Sequence, residues 1–374
     1  MPAPEAATCP RCRLHLRPIT YAGVMLDCCI ECRGLWFDGG EVERVIGRDE
    51  ARSLRERFSG LELRPVRLGC ARGHGRLREV DLEPDVALDS CPACGGLWME
   101  AGDLVRLRRH LPRPGAASDA RLAGLHLRLQ EAQREVDDER IDAAQETIPS
   151  TARHWLFQFL LGLPMEVYNP VRRPPVATYA LIGITILVFL LQLGAPDGLI
   201  GGYALVPSAF VHRVAPWTIL TSMFLHGGPL HLAGNMYFLG VFGDNVEDRL
   251  GIVEYLGLYF VGGIGAALAH IAADPTSPVP LVGASGAISA VLGAYLYFFP
   301  HRRIYMLIFF VLRRIRAVWY LGLWLLLQFS FAASGTPGVA WWAHIGGFGV
   351  GLAAAALHRA ALRRRLAALE GAAD

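Results

Sequence analysis

Long apolar segments dominate the second half of this 374-residue chain and limit what it can fold into. From about Val176 onward, charged residues are scarce outside the short connections, whereas residues 1–150 are charged and polar. Apolar segments of this length are typical of helices that cross a lipid bilayer, because a helix satisfies its own backbone hydrogen bonds. The sequence therefore predicts a polytopic α-helical membrane protein preceded by a small polar domain.

Arginine placement predicts how these segments are threaded through the bilayer. We expect six spans, at about 176–194, 231–247, 251–272, 284–299, 315–333 and 338–357. With six spans, the arginine clusters before the first span, between the fourth and fifth, and after the sixth all fall on one side, while the opposite loops hold Arg213 alone. Arginine is retained on the cytoplasmic side, so both termini are expected in the cytoplasm. The opening residues MPAPEAATCP lack the apolar core of a cleavable signal peptide.

The eight cysteines all lie at or before Cys94, mostly in pairs with CxxC spacing. A shift that maps Cys29 onto Cys91 also maps Gly34 onto Gly96 and Trp36 onto Trp98, so the segment is duplicated. This pattern predicts two structural zinc sites, each closed by four protein ligands. The two ligand sets are Cys9, Cys12, Cys29 and Cys32, and Cys70, His74, Cys91 and Cys94.

The cysteine segments resemble the zinc ribbons of transcription-factor type, on the pattern CPxC followed by CxxCxGxWFD. In such ribbons the metal is structural, and it supplies much of the folding free energy of a segment too short to bury a core. Cys28 is outside the repeat and is expected to be a small buried apolar residue. Paired thiolates also favour a reducing compartment, which agrees with cytoplasmic termini.

These signals divide the chain into six parts. We expect ribbon 1 at 1–48, ribbon 2 at 62–111, a charged helical linker at 112–150, an interfacial segment at 151–173, a membrane domain at 174–358 and a cytoplasmic tail at 359–374. The interfacial segment carries the short aromatic stretch HWLFQFLLGLP, which is too brief to span a bilayer.

One serine in the fourth apolar segment has polar counterparts in two other segments. Ser285 lies in LVGASGAISAVLG, and a bare GxSxG is a weak signal because glycine and serine also let membrane helices pack closely. The other polar groups are His231, Asn235 and His344, which the threading puts at similar depth near the outer face. A histidine inside a membrane helix is either a packing residue with satisfied hydrogen bonds or a functional group, and the convergence of four groups favours function.

The region from about Val176 to His358 resembles the rhomboid intramembrane serine proteases. The resemblance rests on GASG ending at Gly286, HGGPLHLAGN at 226–235 and AHIGG at 343–347. It implies a six-helix bundle in which Ser285 is the nucleophile and His344 the general base. It further implies that His231 and Asn235 form the oxyanion hole, with His226 and Gly283 as auxiliary residues.

Two positions depart from the pattern of that family. Trp217 is followed by Thr218 where relatives often have arginine, and Ser289 stands where some relatives have an aromatic residue against the base. A dyad also lacks a carboxylate to orient its histidine, so packing must orient it.

The sequence thus predicts an intramembrane serine endopeptidase without a catalytic cofactor, and the resemblance implies that its substrates are transmembrane helices of other proteins. The zinc ribbons are expected to be a cytoplasmic recruitment or regulatory module for a protein partner. A net charge of +2 and the lack of interleaved aromatic residues argue against nucleic acid as a partner. The expected location is the bacterial inner membrane. The alternatives are a non-cleaving scaffold of the same fold that binds membrane proteins, and a membrane-tethered regulatory protein in which the ribbons are primary.

Overall fold

Two cysteine-containing segments share a single antiparallel sheet in the first part of the chain. The computed structural model describes residues 7–49, 51–52, 56, 61–83, 86–101, 103, 106, 116–152, 154–156 and 163–371. The predictions made above for 1–6, 84–85, 102, 104–105, 107–115, 153, 157–162 and 372–374 lie outside them. The chain divides into a first unit, Met1–Arg140 with Ala360–Asp374, and a second unit, Ile141–Arg359.

Seven strands make up the sheet of the first unit, in the order β1-β2-β3-β7-β6-β5-β4. The strands are β1 (Arg17–Tyr21), β2 (Val24–Cys28), β3 (Leu35–Phe37), β4 (Arg64–Gly69), β5 (Arg76–Glu83), β6 (Val86–Ser90) and β7 (Leu97–Met99). Helix α1 (Glu41–Ile46) follows β3, and the long helix α2 (Ala116–Thr147) follows the second ribbon.

The two ribbons meet where β3 pairs with β7, with Trp36 directly opposite Trp98. The indole of Trp98 lies against Gly34, which precedes β3, and the indole of Trp36 lies against Gly96, which precedes β7. A Cβ on either glycine would overlap the ring that it faces. Both tryptophans are fully buried. The sequence repeat therefore folds as one pseudo-symmetric body, with a glycine in each copy making room for the aromatic ring of the other.

An ion-pair cluster reinforces this junction on the side of the second ribbon. Arg72 donates to Asp27 at 2.6 Å and to Asp38 at 2.6 Å, both in the first ribbon. Asp38 also accepts from the indole nitrogen of Trp36 at 2.7 Å. One arginine thus joins the two ribbons through charge-assisted hydrogen bonds, which are stronger than neutral ones.

The second unit is built from helices at the positions of all the predicted spans. They are α3 (Val176–Gly194), α7 (Pro229–Leu250), α8 (Ile252–Ala273), α9 (Ser285–Phe298), α10 (Ala317–Ala333) and α11 (Trp341–Gly371), the last of which continues into the first unit. Short helices α4 (Pro196–Tyr203), α5 (Pro207–Val211) and α6 (Thr218–Thr221), with a 3-10 turn at Ser222–Phe224, fill the connection between α3 and α7.

Among the described residues, three helices are long and apolar enough to cross a membrane: Val176–Gly194, Ile252–Ala273 and Trp341–Glu370. Helices α9 and α10 are apolar but shorter. Helix α7 is long but carries Asp244, Glu247, Asp248 and Arg249 near its end. The fold is therefore a helical membrane bundle, and the count of six spans stays a prediction.

The carboxylate of Glu247 lies inside the apolar bundle and accepts hydrogen bonds there. Its carboxylate is 3% exposed and accepts the backbone N–H of Ala177 at 2.9 Å and that of Thr178 at 2.8 Å. These N–H groups belong to the first turn of α3 and have no partner within their own helix. A buried carboxylate at the positive end of α3 thus caps one span from another.

A small sheet closes the end of the bundle opposite Ser285. Its order is β10-β9-β8, from β8 (Met165–Glu166), β9 (Arg303–Ile308) and β10 (Val311–Arg316), and β9 and β10 form a hairpin between α9 and α10. The end of α2 lies on this hairpin, because Gln145 accepts the N–H of Arg303 at 2.8 Å and Arg314 donates to the carbonyls of Gln145 and Glu146 at 3.0 Å. Residues 141–147, which we assigned to the linker, thus make their contacts within the second unit.

Candidate functional site

Ser285 is the first residue of α9, and its hydroxyl lies 2.9 Å from Nε2 of His344 on α11. That distance is within hydrogen-bonding range for a serine and its general base. Both side chains are partly exposed, so the pair can be reached from outside the bundle. The structure thus brings together the two residues that the sequence singled out on separate helices.

Small residues allow α9 and α11 to lie close enough for this contact. A Cβ on Gly347 would overlap the backbone oxygen of Gly286, and a Cβ on Gly351 would overlap that of Ala290. On α9, a Cβ on Gly293 would overlap the backbone oxygen of Phe348. Close backbone approach through glycine is a common way for helices to pack in membranes, and here it lets the hydroxyl of Ser285 reach the imidazole of His344.

Three side chains that the sequence analysis did not single out hold the ring of His344. Nδ1 of His344 lies 2.7 Å from Oε1 of Gln328 on α10. Trp324, one turn earlier, stacks on the imidazole with ring centroids 6.0 Å apart, and Trp341 meets it edge-on at 6.3 Å. Because an amide oxygen can only accept, the contact with Gln328 favours the tautomer with the proton on Nδ1, which leaves Nε2 free to accept from Ser285.

A signal for Gln328 was present in the sequence. It is the one amide within the apolar run WYLGLWLLLQFSF at 319–331, and such a group inside a membrane helix normally faces a partner in the bundle. Some relatives have an aromatic residue at the position of Ser289 on α9. In this chain the aromatic ring that packs on His344 is Trp324, on α10. Ser289 itself donates to the backbone oxygen of Ser285 at 2.7 Å.

The predicted oxyanion donors lie beside the loop that leads into Ser285. Gly283 has a φ of +122°, and a Cβ there would lie 2.9 Å from Nε2 of His231 and 3.7 Å from Nδ2 of Asn235. Nδ1 of His231 accepts the N–H of Gly227 at 3.3 Å, which leaves the proton on Nε2. Asn235 is 7% exposed, and in the described part of the chain its Nδ2 has no hydrogen-bond partner. Two donors thus face the space that the glycine leaves open.

His226 is fully buried and supports this loop from behind. Its ring meets that of His231 edge-on, with centroids 5.1 Å apart. Its backbone is held by Gln192, which donates to the carbonyl of His226 at 2.6 Å and accepts its N–H at 3.1 Å. The other departure, Thr218, is also buried and donates to the carbonyl of Ala215 at 2.7 Å, which stabilises the turn before α6.

The two cysteine clusters have the arrangement of closed metal sites. In each, the ligand atoms of all four residues lie within 4.8 Å of one another, in the sets Cys9, Cys12, Cys29, Cys32 and Cys70, His74, Cys91, Cys94. The sulfurs of Cys9 and Cys32 are 3.6 Å apart and those of Cys70 and Cys94 are 3.7 Å apart. Thiolates bound tetrahedrally at about 2.3 Å from zinc would be separated by about 3.8 Å. Both groups are therefore compatible with structural zinc.

Backbone N–H groups are aimed at the sulfurs, as expected for thiolate ligands. The N–H of Cys12 donates to Sγ of Cys9 at 3.2 Å, and that of Arg72 donates to Sγ of Cys70 at 3.4 Å. Cys28 is outside both clusters and packs in the apolar core of the first unit.

Comparison with known proteins assigns the two parts of the chain to different families. Residues 213–361 match the Rhomboid domain, and residues 8–48 and 69–110 each match the Transcription factor zinc-finger family. The site residues described above, from Gly283 to His344, all lie within the matched rhomboid region, as do His226, His231 and Asn235.

Curated relatives share the membrane region. Rhomboid protein 1, mitochondrial, of Saccharomyces cerevisiae is 33% identical over 141 residues, covering 36% of this chain and 40% of the relative. RHOMBOID-like protein 5 of Arabidopsis thaliana is 38% identical over 80 residues, covering 21% and 26%. Rhomboid protease GluP of Bacillus subtilis is 36% identical over 128 residues, covering 33% and 24%. The chain spans less than half the length of each of these relatives, and its match to the Rhomboid domain is preceded by two matches to the Transcription factor zinc-finger family.

Proposed function

We propose that this protein is an intramembrane serine endopeptidase that uses Ser285 as nucleophile and His344 as general base. The observation that carries the proposal is the 2.9 Å contact between the serine hydroxyl and Nε2 of His344, at the start of a helix inside an apolar bundle. The similarity to a relative named as a protease supports the same reaction class.

In the proposed reaction, Nε2 of His344 takes the proton of Ser285 as Oγ bonds to the carbonyl carbon of the scissile peptide. Cleavage of the C–N bond follows, and the imidazolium gives that proton to the leaving amine. Water then hydrolyses the acyl-enzyme by the same exchange. Gln328 stabilises the imidazolium by accepting from Nδ1, in the place that a carboxylate occupies in a triad.

Three donors are proposed to stabilise the tetrahedral oxyanion: Nδ2 of Asn235, Nε2 of His231 and the backbone N–H of Ser285. The support is that Nδ2 of Asn235 is buried without a partner among the described residues, and that Gly283 leaves the space beside it open. In comparable sites the loss of one such donor costs roughly 3 to 4 kcal/mol in the transition state.

The proposed substrates are transmembrane helices of other proteins, cut near the outer face. With six spans and both termini in the cytoplasm, α7, α9 and α11 enter from outside, so Ser285 and His344 open toward the outer water phase. An intact helix hides its carbonyls in internal hydrogen bonds, so the scissile bond must lie where small or helix-breaking residues let the backbone unwind. We place the protein in a bacterial inner membrane as a multi-pass protein.

The ribbons are proposed to bind two structural zinc ions and to recruit a cytoplasmic protein partner. The ligand sets leave no open coordination position, which supports a structural role for the metal. We retain the domain division at 1–48, 62–111, 112–150, 151–173, 174–358 and 359–374 as a proposal. The alternative is a non-cleaving scaffold of the same fold.

One experiment separates the protease from the scaffold. Detergent-purified protein is incubated with a transmembrane reporter, and cleavage is followed by the size of the products. The protease produces a cut that is lost in Ser285→Ala, whereas a scaffold binds the reporter and leaves it intact.

A further inference from the structure

The turn of the β9–β10 hairpin combines two costly features at the same residues. Phe309 and Phe310 are 93% and 81% exposed, more than almost any other large apolar side chain in the described part of the chain. They also have φ values of +46° and +62°. Two-residue turns with this backbone strongly prefer Asn-Gly, because a side chain at positive φ is strained and bulky residues are rare there. Phenylalanine at both positions thus strains the backbone of the turn and exposes large apolar side chains.

One face of the hairpin is apolar from its base to this turn. At the base, Ile304 is fully buried in the core of the bundle and Met306 packs against the same core. The next residue on that face of β9 is Ile308, which pairs with Val311 across the turn. These two side chains are 37% and 42% exposed, so the apolar face extends past the part of the core that covers it.

The opposite face of the hairpin is held from the side of α2. Arg314 donates to the carbonyl groups at the end of that helix, and Arg303 pairs with Glu146 at 2.5 Å. The hairpin is therefore fixed between the end of the bundle and the last turn of α2. Its six-residue strands reach about 20 Å, which carries the turn beyond the bundle core.

The surroundings of the free apolar face match a lipid surface. Arg313 pairs with Met306 and lies exposed on that face, two residues from the strand end at Val311. Trp319, in the first turn of α10, is 69% exposed, and Leu323 and Leu326 continue the exposed apolar side of this helix. Aromatic and cationic side chains together are typical of the boundary between lipid headgroups and acyl chains.

We propose that the β9–β10 hairpin is a membrane-surface anchor, in which Phe309 and Phe310 enter the headgroup region of the leaflet at the end of the bundle opposite Ser285. Arg313 binds the phosphates of anionic lipids. The bilayer offsets the solvation cost of the exposed phenylalanines, and the rigid attachment of the hairpin to the bundle sets the depth of that end in the membrane.

The test replaces Phe310 by the photo-crosslinking analogue benzoylphenylalanine in the full chain, which keeps an aromatic ring at the turn. The protein is reconstituted in vesicles of phosphatidylcholine with phosphatidylglycerol, irradiated and analysed for adduct mass. We expect lipid adducts at position 310, and none when the same analogue replaces Met25, which is 64% exposed in the ribbon sheet. Crosslinks to a second chain alone, or no lipid adduct, would overturn the proposal.

A charge variant tests the lipid type. With Arg313→Gln, the yield of phosphatidylglycerol adducts at position 310 should fall several-fold, while the yield in pure phosphatidylcholine vesicles should stay unchanged. An equal fall in both vesicles would mean that Arg313 holds the hairpin in place and does not bind anionic headgroups. The protein's thermal unfolding in detergent, compared with that of the unsubstituted chain, shows whether the variant has folded.

Discussion

Gln328 accepts a hydrogen bond from Nδ1 of His344 at 2.7 Å, while Nε2 of the same ring faces the hydroxyl of Ser285 at 2.9 Å. We expect Gln328→Met to lower kcat about ten-fold with little change in KM, because a lost hydrogen bond is worth about 1 to 1.5 kcal/mol and this one matters most when the imidazole is charged. Gln328→Glu keeps an acceptor at this position and should retain more activity. Both are measured on a transmembrane reporter. A loss confined to KM, or equal losses in the two variants, would assign Gln328 to packing.

Ser285→Ala and His344→Ala should each lower cleavage by at least about 10³-fold, because each removes one half of the unit that moves the proton. Ser289→Ala is the matched control. It removes a hydroxyl from the same helix, one turn away, whose hydrogen bond goes to the backbone oxygen of Ser285 and not to its side chain. Product formation by Ser285→Ala at a rate close to that of Ser289→Ala would end the protease proposal.

The sequence predicted the pair Ser285 and His344 because both residues lie in short motifs. It predicted less about which side chains position His344. Gln328 and Trp324 are on a helix with no motif, and only the packing of α10 against α11 brings them to His344. The duplication of the ribbons was visible from the repeated cysteines, whereas the pairing of Trp36 with Trp98 was not. Pairing between distant strands depends on surface complementarity, which a local pattern does not encode.

Gly34→Ala should loosen the junction between the ribbons, because the new Cβ would overlap the ring of Trp98. Overpacking of this kind costs about 1 to 3 kcal/mol. The temperature at which zinc is released to a chromogenic chelator should fall. Gly69→Ala is the matched control, since the nearest atom to its Cβ would be the backbone oxygen of Gly75, at an ordinary 3.9 Å. Equal release temperatures in both variants would show that the two ribbons are held together elsewhere.

Glu166 on β8 should make the second unit less stable as pH rises. Burial raises the pKa of its carboxyl from 4.5 to about 8, although Tyr295 and Asn169 donate hydrogen bonds to it. The folded state therefore keeps a proton that the unfolded state loses above about pH 4.5. The resulting stability is complete below that pH, declines toward about pH 8 and is absent above it.

In Glu166→Gln this part of the pH dependence should disappear. The measurement is the unfolding midpoint of the second unit in detergent between about pH 4.5 and pH 8. The change of this midpoint with pH is compared between the variant and the unsubstituted chain, because the amide also alters the hydrogen bonds and so shifts the absolute midpoint. An unchanged slope in the variant would show that Glu166 is ionised throughout.

Two deletions of nearly equal length should behave differently. Removing residues 1–140 takes away the ribbons and most of α2 but leaves the contacts of Asp142, Gln145 and Glu146 with the arginines of the second unit. Removing residues 1–150 also takes these contacts away. Gln145 is fully buried and donates to the carbonyl of Tyr168 at 2.5 Å, so its loss removes a hydrogen-bond partner of Arg303, Arg314 and Tyr168. Each lost hydrogen bond of this kind costs about 0.5 to 1.5 kcal/mol.

We therefore expect the chain that begins at residue 141 to cleave a generic reporter almost as well as the full chain, and the chain that begins at residue 151 to unfold at lower temperature. Stripping the metal from the full chain should release about two zinc ions and unfold the ribbons while the reporter is still cut, because the proposed dyad uses no metal. In cells, the chain that begins at residue 141 should still cleave its natural substrate less than the full chain does, if the ribbons recruit that substrate. A correctly inserted chain from residue 141 that cuts no reporter would show instead that the ribbons are coupled to the dyad, and their role as a recruitment module would have to be given up.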